Sequence, residues 1–254
     1  MPRAVELSGV TRRFRLGTGP AAGDGRVREG FFYALDGVSL AVEAGEFVLV
    51  CGANGSGKSL LMSVIAGLDA PSSGRAAAEG RVGIVFQDAD SQILGETPRE
   101  DAAVGPKNLK LPRDEVNRRV DGALRAVGLT AKADFPARFL SGGEKRRLSL
   151  AGVLAMDCPV IIFDEPYANL DFPGVRDVNA ALESLKGAGK TVFVLTHELE
   201  KGLALATRLV ILASGRIVFD GPPEALPSLR ERLGAWGIRY PLGAYMTVGD
   251  LLWR

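Results

Sequence analysis

Apolar and polar residues alternate in two early stretches. Over residues 5–14, Val5, Leu7, Val10 and Phe14 stand among polar neighbours, and over 34–42 Leu35, Val38, Leu40 and Val42 do the same. A period of two predicts strands, so the chain is expected to begin with a small antiparallel β layer. Residues 16–30 lie between them and turn to Gly, Pro, Ala and charge, a loop by composition. Four compact apolar runs of strand length follow at 46–51, 81–86, 160–163 and 191–195. Residues 208–213 and 216–220 read as a hairpin turning at Ser214-Gly215. Helical spacing replaces strand spacing over 91–157, most clearly where Val116, Val120, Leu124 and Val127 recur three or four apart. Pro98, Pro106 and Pro112 punctuate the first part of that insertion. Residues 224–254 read as a partly helical tail with Trp236 and Trp253.

Composition narrows the partners. The 254 residues are 46% hydrophobic and 24% charged, with a formal net charge of +1. That is ordinary for a globular protein and offers no electrostatic footprint for nucleic acid. No stretch approaches the ~20 apolar residues of a membrane span. The N-terminus lacks a signal-peptide core. A cytosolic protein is expected, doing any membrane work through a partner. Cys51 and Cys158 are too few for a disulfide framework and read as small buried hydrophobes.

The chemistry begins at Gly52-Ala53-Asn54-Gly55-Ser56-Gly57-Lys58-Ser59, which fits G-x-x-x-x-G-K-[ST] between a strand and a helix opening at Leu60. Glycines 52, 55 and 57 let successive N–H groups point inward, and the helix adds its positive end. Lys58 is placed to reach β- and γ-phosphates, and the Ser59 hydroxyl to ligate Mg²⁺. An aromatic ring can stack on the base of such a nucleotide. Phe14 is the candidate, with Phe32 and Tyr33 as rivals across the loop.

Three other strands end in polar residues: Gln87, the pair Asp164-Glu165, and His197, the chain's one histidine. Parallel strands deliver their last residues to one edge, so these are expected to converge. Asp164 suits Mg²⁺ ligation, Glu165 a base for the attacking water, Gln87 the metal or that water, and His197 the γ-phosphate and water. Ser141-Gly142-Gly143-Glu144 opens a helix and reads as a second anion site.

From Val5 to about Leu226 these segments, in this order, resemble the ATP-binding cassette (ABC) ATPases. The resemblance implies an α/β P-loop NTPase fold: a mixed sheet core with an antiparallel β subdomain and a helical subdomain at about 91–157. It implies one domain over 1–226 and a tail over 227–254. Gln87 matches the Q-loop residue, Leu140–Glu144 the signature, Val160–Glu165 the Walker B strand, Ala168–Asp171 the D-loop and His197 the switch histidine. Glu144 stands where the family usually has Gln, and Phe14 where it usually has Tyr. Such ATPases pair head to tail, which implies a second ATPase subunit, identical or sister. Ser141 and Gly143 would then meet the nucleotide on the partner's P-loop, and Asp171 would lie at the interface. Val82–Gln92, Glu100–Leu109 and Leu150–Met156 resemble the energy-coupling factor (ECF) group more narrowly, which includes cobalt and nickel importer ATPases. The usual Ala-Phe-Gly-Pro reads Ala103-Val104-Gly105-Pro106 here. The ECF resemblance implies peripheral work on the cytoplasmic membrane face, with a transmembrane scaffold docking near 87–105 and a substrate-binding membrane subunit that sets a vitamin or metal-ion cargo. Charge at Asp101 is expected to matter for that docking. An ABC importer of another branch, a soluble ABC protein acting on DNA or ribosomes, and a regulatory cassette are the rival readings.

Overall fold

The computed structural model describes residues 2–16 and 25–242. Strand β1 (Arg3–Arg15) pairs antiparallel with β3 (Phe31–Glu43), which also carries the two-residue β2 (Val27–Arg28). Part of the expected loop over 16–30 is therefore strand; the rest of it, over 17–24, lies outside the described residues. The chain then enters β4 (Phe47–Cys51) and helix α1 (Lys58–Ile65). β5 (Ser73–Ala78) returns to the far side of β1. Its Ser-Gly-Arg-Ala-Ala-Ala sequence has little strand propensity. Pairing decides it instead: Val5 faces Ala78 and Leu7 faces Ala76.

β6 (Val82–Val85) leads into three helices, α2 (Pro98–Asn108), α3 (Arg113–Ala126) and α4 (Gly142–Met156). These supply the expected helical insertion. Thr97 caps α2 by accepting from the N–H of Glu100, with Pro98 opening the helix. β7 (Val160–Asp164), α5 (Phe172–Gly187), β8 (Thr191–Thr196) and the short α6 (Leu199–Gly202) follow. β9 (Arg208–Ala213) and β10 (Arg216–Gly221) form the hairpin read from the sequence. Ser214 at φ +46° and Gly215 at φ +77° give the left-handed pair that a two-residue hairpin turn requires. A last turn, α7 (Arg230–Leu233), lies in the tail.

The second sheet has the order β10-β9-β4-β8-β7-β6, parallel except for β10. It is buried on both faces, and each strand divides its residues by the period of two. Phe47, Leu49, Ile161, Phe163, Val192, Val194, Leu209 and Ile211 join the core beneath the helices. Val48, Val50, Ile162, Phe193, Leu195, Val210 and Leu212 join the core shared with α1 and the antiparallel sheet. The described part of the tail packs on this body. Leu226, Leu229, Leu233 and Ile238 are buried in the helical-side core. A Cβ on Gly237 would come within 2.9 Å of the Ala53 side chain.

Candidate nucleotide site

The loop from Gly52 to Ser59 is shaped by what it approaches. A Cβ on Gly52 would lie 2.3 Å from the Leu212 carbonyl and 2.5 Å from Ser56 Oγ. Gly57, at φ +109°, passes so close to β3 that a Cβ would meet the Ala34 carbonyl at 2.8 Å. Lys58 is buried, and its Nζ donates to the carbonyls of Gly52 (2.7 Å) and Ala53 (3.2 Å). Ser56 Oγ is buried without a partner. Asn54 and Gly55 are exposed, and the Gly55 carbonyl accepts from Arg26 Nη1 at 2.8 Å. Ser59 is exposed and Leu60 half-buried at the start of α1.

The acid pair lies beside this loop. Register brings Cys51 of β4 against Thr196 of β8, and Leu195 of β8 against Asp164 of β7. The ends of β4, β8, β7 and β6 thus form one edge, with the P-loop, His197, the acids and Gln87 along it. Asp164 is buried, and burial raises its pKa. The Glu165 charge adds to that, while a hydrogen bond with Ser59 and the Lys58 charge oppose it. Asp164 Oδ1 has no partner. Glu165 turns out of the strand at φ +48° while its N–H donates to the Leu195 carbonyl at 2.8 Å. Its carboxylate lies 3.8 Å from Lys58 Nζ and 3.0 Å, at both oxygens, from His197 Nδ1. Of the strand-end residues expected to converge, Glu165 and His197 are in contact, and Lys58 of the P-loop also meets Glu165. No hydrogen bond or ion pair among the described residues joins the Gln87 side chain to them. Gln87 is exposed, and its carbonyl accepts from Arg146 Nη2 at 2.9 Å.

Phe14 is 42% exposed, with the Arg12 guanidinium 4.7 Å over its ring. Its cross-strand neighbour Phe32 lies under Arg26, the residue that reaches Gly55. Tyr33 lies under Arg28 and accepts from Arg13.

The second anion motif stands apart. No hydrogen bond or ion pair among the described residues joins Ser141–Glu144 to Gly52–Ser59. Ser141 caps α4 by accepting from the N–H of Glu144, whose carboxylate accepts from the N–H of Ser141, a capping box. Lys132 Nζ donates to Glu144 at 2.5 Å. That bond, with the Ser141 N–H, holds the Glu144 carboxyl down to about 2. The Glu standing where the family has Gln is thus paired on both sides. Asp171 caps α5 by accepting from the N–H of Gly174, beside Phe172, which is 75% exposed.

One expectation is corrected. Asp101 is no surface charge: it is 7% exposed, and its Oδ1 accepts from the N–H groups of Leu94 (2.7 Å) and Gly95 (3.0 Å). Its short acidic side chain looks like a surface residue in sequence, but it fastens a loop from inside. Leu94, 74% exposed, is what that loop presents. Sequence reasoning also passed over Arg146 and Tyr167. The latter is fully buried and donates to Asn179 at 2.8 Å, bracing α5 behind the acids. An aromatic directly after Asp-Glu-Pro was its available signal. Both cysteines are buried, and burial pushes the Cys51 thiol up to about 12, so neither is a ready thiolate.

The family model described as ABC transporter matches residues 35–168. The chain belongs to the ABC transporter family. A cobalt import ATP-binding protein of Rhodobacter capsulatus is 40% identical over 224 residues, covering 82% of this chain and 80% of that protein. An energy-coupling factor transporter ATP-binding protein of Carboxydothermus hydrogenoformans is 39% identical over 230 residues, covering 84% and 85%. Among solved structures, CbiO1 of Clostridium perfringens, described as part of a cbiONQ transporter complex, superposes with a TM-score of 0.75 at 30% identity, covering 93% of this chain and 98% of that one. The ATP-binding cassette MJ0796, solved as a dimer in a post-hydrolysis state with ADP and Pi, gives a TM-score of 0.73 at 27% identity, covering 86% and 98%. The expected ABC fold and the ECF and cobalt-type resemblance are borne out. This ABC ATPase binds ATP and works in transport. No helix among its described residues is long and apolar enough to cross a membrane.

Proposed function

We propose that this ABC ATPase is the ATP-hydrolysing subunit of an ECF-type importer that takes up a vitamin or a transition-metal ion. The observation that carries the chemistry is the contact of Lys58, Glu165 and His197 beside two buried oxygens, Ser56 Oγ and Asp164 Oδ1, that have no protein partner. Buried polar atoms are rarely left unpaired, and here one belongs to the P-loop itself and the other to the strand end beside it. Phosphate oxygens would accept from Lys58 and the loop N–H groups, and Phe14, with Phe32 as its rival, would stack the adenine. Asp164, Ser59 and Gln87 fit a Mg²⁺ that also takes phosphate oxygens as ligands. The described residues hold no cluster of three His, Cys, Asp or Glu that would bind a metal without substrate. Bound there, Mg²⁺ would neutralise charge on the β- and γ-phosphates.

Glu165 takes a proton from water as the water oxygen bonds to the γ-phosphorus. The bond to the β–γ bridging oxygen breaks, leaving ADP and phosphate. The Glu165 carboxylate only accepts, so its contact calls for a proton on His197 Nδ1. Neutral His197 then offers Nε2 as an acceptor to the attacking water. Donation to the γ-phosphate needs the imidazolium.

The capping box at Ser141, the absence of a bond between it and the chain's own P-loop, and the exposed Phe172 support a head-to-tail pair in which each signature completes the partner's site. For the scaffold we propose a groove of about 560 Å³ lined by residues including Asp90, Ile93, Glu96, Pro136 and Lys145, with Leu94 beside it. Docking there would hold the chain peripherally at the cytoplasmic face. The test is co-purification from native membranes on a tagged chain. A transmembrane scaffold and a small substrate-binding membrane protein are expected, and Leu94→Asp should release them while basal ATPase stays within twofold. Ribosomes or repair proteins in their place would overturn the transport reading.

A further inference from the structure

Helix α4 grips the loop that follows β6 at three points. Lys145 pairs with Asp90, Arg146 donates to the Gln87 carbonyl, and Ser149 Oγ lies 3.5 Å from the Ala89 carbonyl. Of these three only Arg146 also reaches the backbone that follows β7. Its Nη1 donates to the carbonyls of Glu165 (3.3 Å) and Pro166 while Nη2 holds Gln87 (2.9 Å). No carboxylate among the described residues pairs with this half-buried guanidinium, and burial lowers its pKa. A half-buried charge given to carbonyls alone is a costly choice for a mere staple. A planar fork of donors is, however, the group that can hold two separate backbone segments in fixed relation.

We propose that Arg146 is a positioning residue that sets the Glu165 carboxylate according to where the helical layer holds the Gln87–Asp90 loop. Asp90 and Lys145 line the proposed docking groove, and Arg146, next to Lys145, ties the start of the Asp90 loop at Gln87 to the backbone of the base. Through Arg146, movement of that wall displaces the backbone on which Glu165 turns at φ +48°. This inference rests on the reading of Glu165 as base.

Steady-state ATPase and direct ATP titration of the full chain test it, comparing wild type with R146K, R146M and E165Q. Lysine keeps the charge but, as a point donor, cannot span both segments. Both Arg146 variants should lose at least tenfold in kcat, with KM and Kd for ATP within twofold and no rescue by lysine. If R146M does not fold, R146K decides alone. A kcat within twofold of wild type in a folded Arg146 variant overturns the inference, as does restoration by lysine or a Kd that rises in step with the loss. E165Q separates the two ideas. If E165Q is inactive while Arg146 variants keep wild-type kcat, this inference alone fails. If E165Q hydrolyses at the wild-type rate, the base assignment falls and this inference with it.

Discussion

The two phosphate-binding motifs of this chain are built in opposite ways. The P-loop buries its cation, folds it onto its own carbonyls and leaves Ser56 Oγ and the neighbouring Asp164 Oδ1 without partners. The signature lies near the surface with the Ser141 hydroxyl, the Ser141 N–H and the Glu144 carboxylate already matched by a reciprocal cap and by Lys132, which leaves the backbone N–H groups of Gly142 and Gly143 to offer. A site with unmatched buried groups gains most from a ligand of its own. A site whose side chains are matched already, and which offers two surface N–H groups, is suited to add to a ligand held elsewhere. That difference supports a division between holding ATP and completing it from the partner.

Four changes sharpen or break the contrast. Lys58→Ala removes a charged donor from the unmatched site, where each such bond contributes about 1.5–3 kcal/mol. ATP affinity should fall on the order of 100-fold by calorimetry, and an unchanged Kd would remove the P-loop from its role. Glu165→Gln should lower hydrolysis by roughly 100-fold or more while ATP still binds. Size-exclusion chromatography should then show an ATP-held dimer; rapid turnover in this variant would be incompatible with a carboxylate base. Ser141→Ala should cost about 1 kcal/mol of stability through the lost cap. It should reduce turnover yet leave ATP binding by the monomer intact. If monomer affinity drops as it does for Lys58→Ala, the two motifs do not divide the work.

The smallest effect concerns acid. The Glu144 carboxyl is lowered to about 2 in the folded chain from an ordinary 4.5. A depressed carboxyl contributes stability above its unfolded pKa and loses it as pH falls through the folded value. Glu144→Gln should therefore flatten the loss of stability between about pH 4.5 and 2 in melting experiments. An identical acid profile would mean that Lys132 and the cap do not hold the charge in solution.

What the sequence made legible follows the same physics. Residues with an obligatory local pattern were readable: the P-loop glycines, the apolar strands ending at Asp164 and His197, the hairpin at Ser214-Gly215. β5 was not, because Ala76 and Ala78 become strand only through pairing with β1. Asp101 misled because sequence shows charge without showing the N–H groups it holds. Arg146 was invisible for a similar reason. Its partners are backbone carbonyls, and a carbonyl carries no sequence signal. The tail's burial is a property of three-dimensional closure, seen only when Leu229 and Leu233 meet the helical-side core.

The left-handed turn at Glu165 has an evolutionary consequence. Backbone at φ +48° suits Asn or Gly, and a glutamate there costs on the order of 1 kcal/mol. Selection for robustness alone would drift towards those residues and silence the enzyme. Selection for uptake must hold the glutamate against that drift. Heat-tolerant variants raised without a requirement for transport should therefore include dead enzymes altered at this one position.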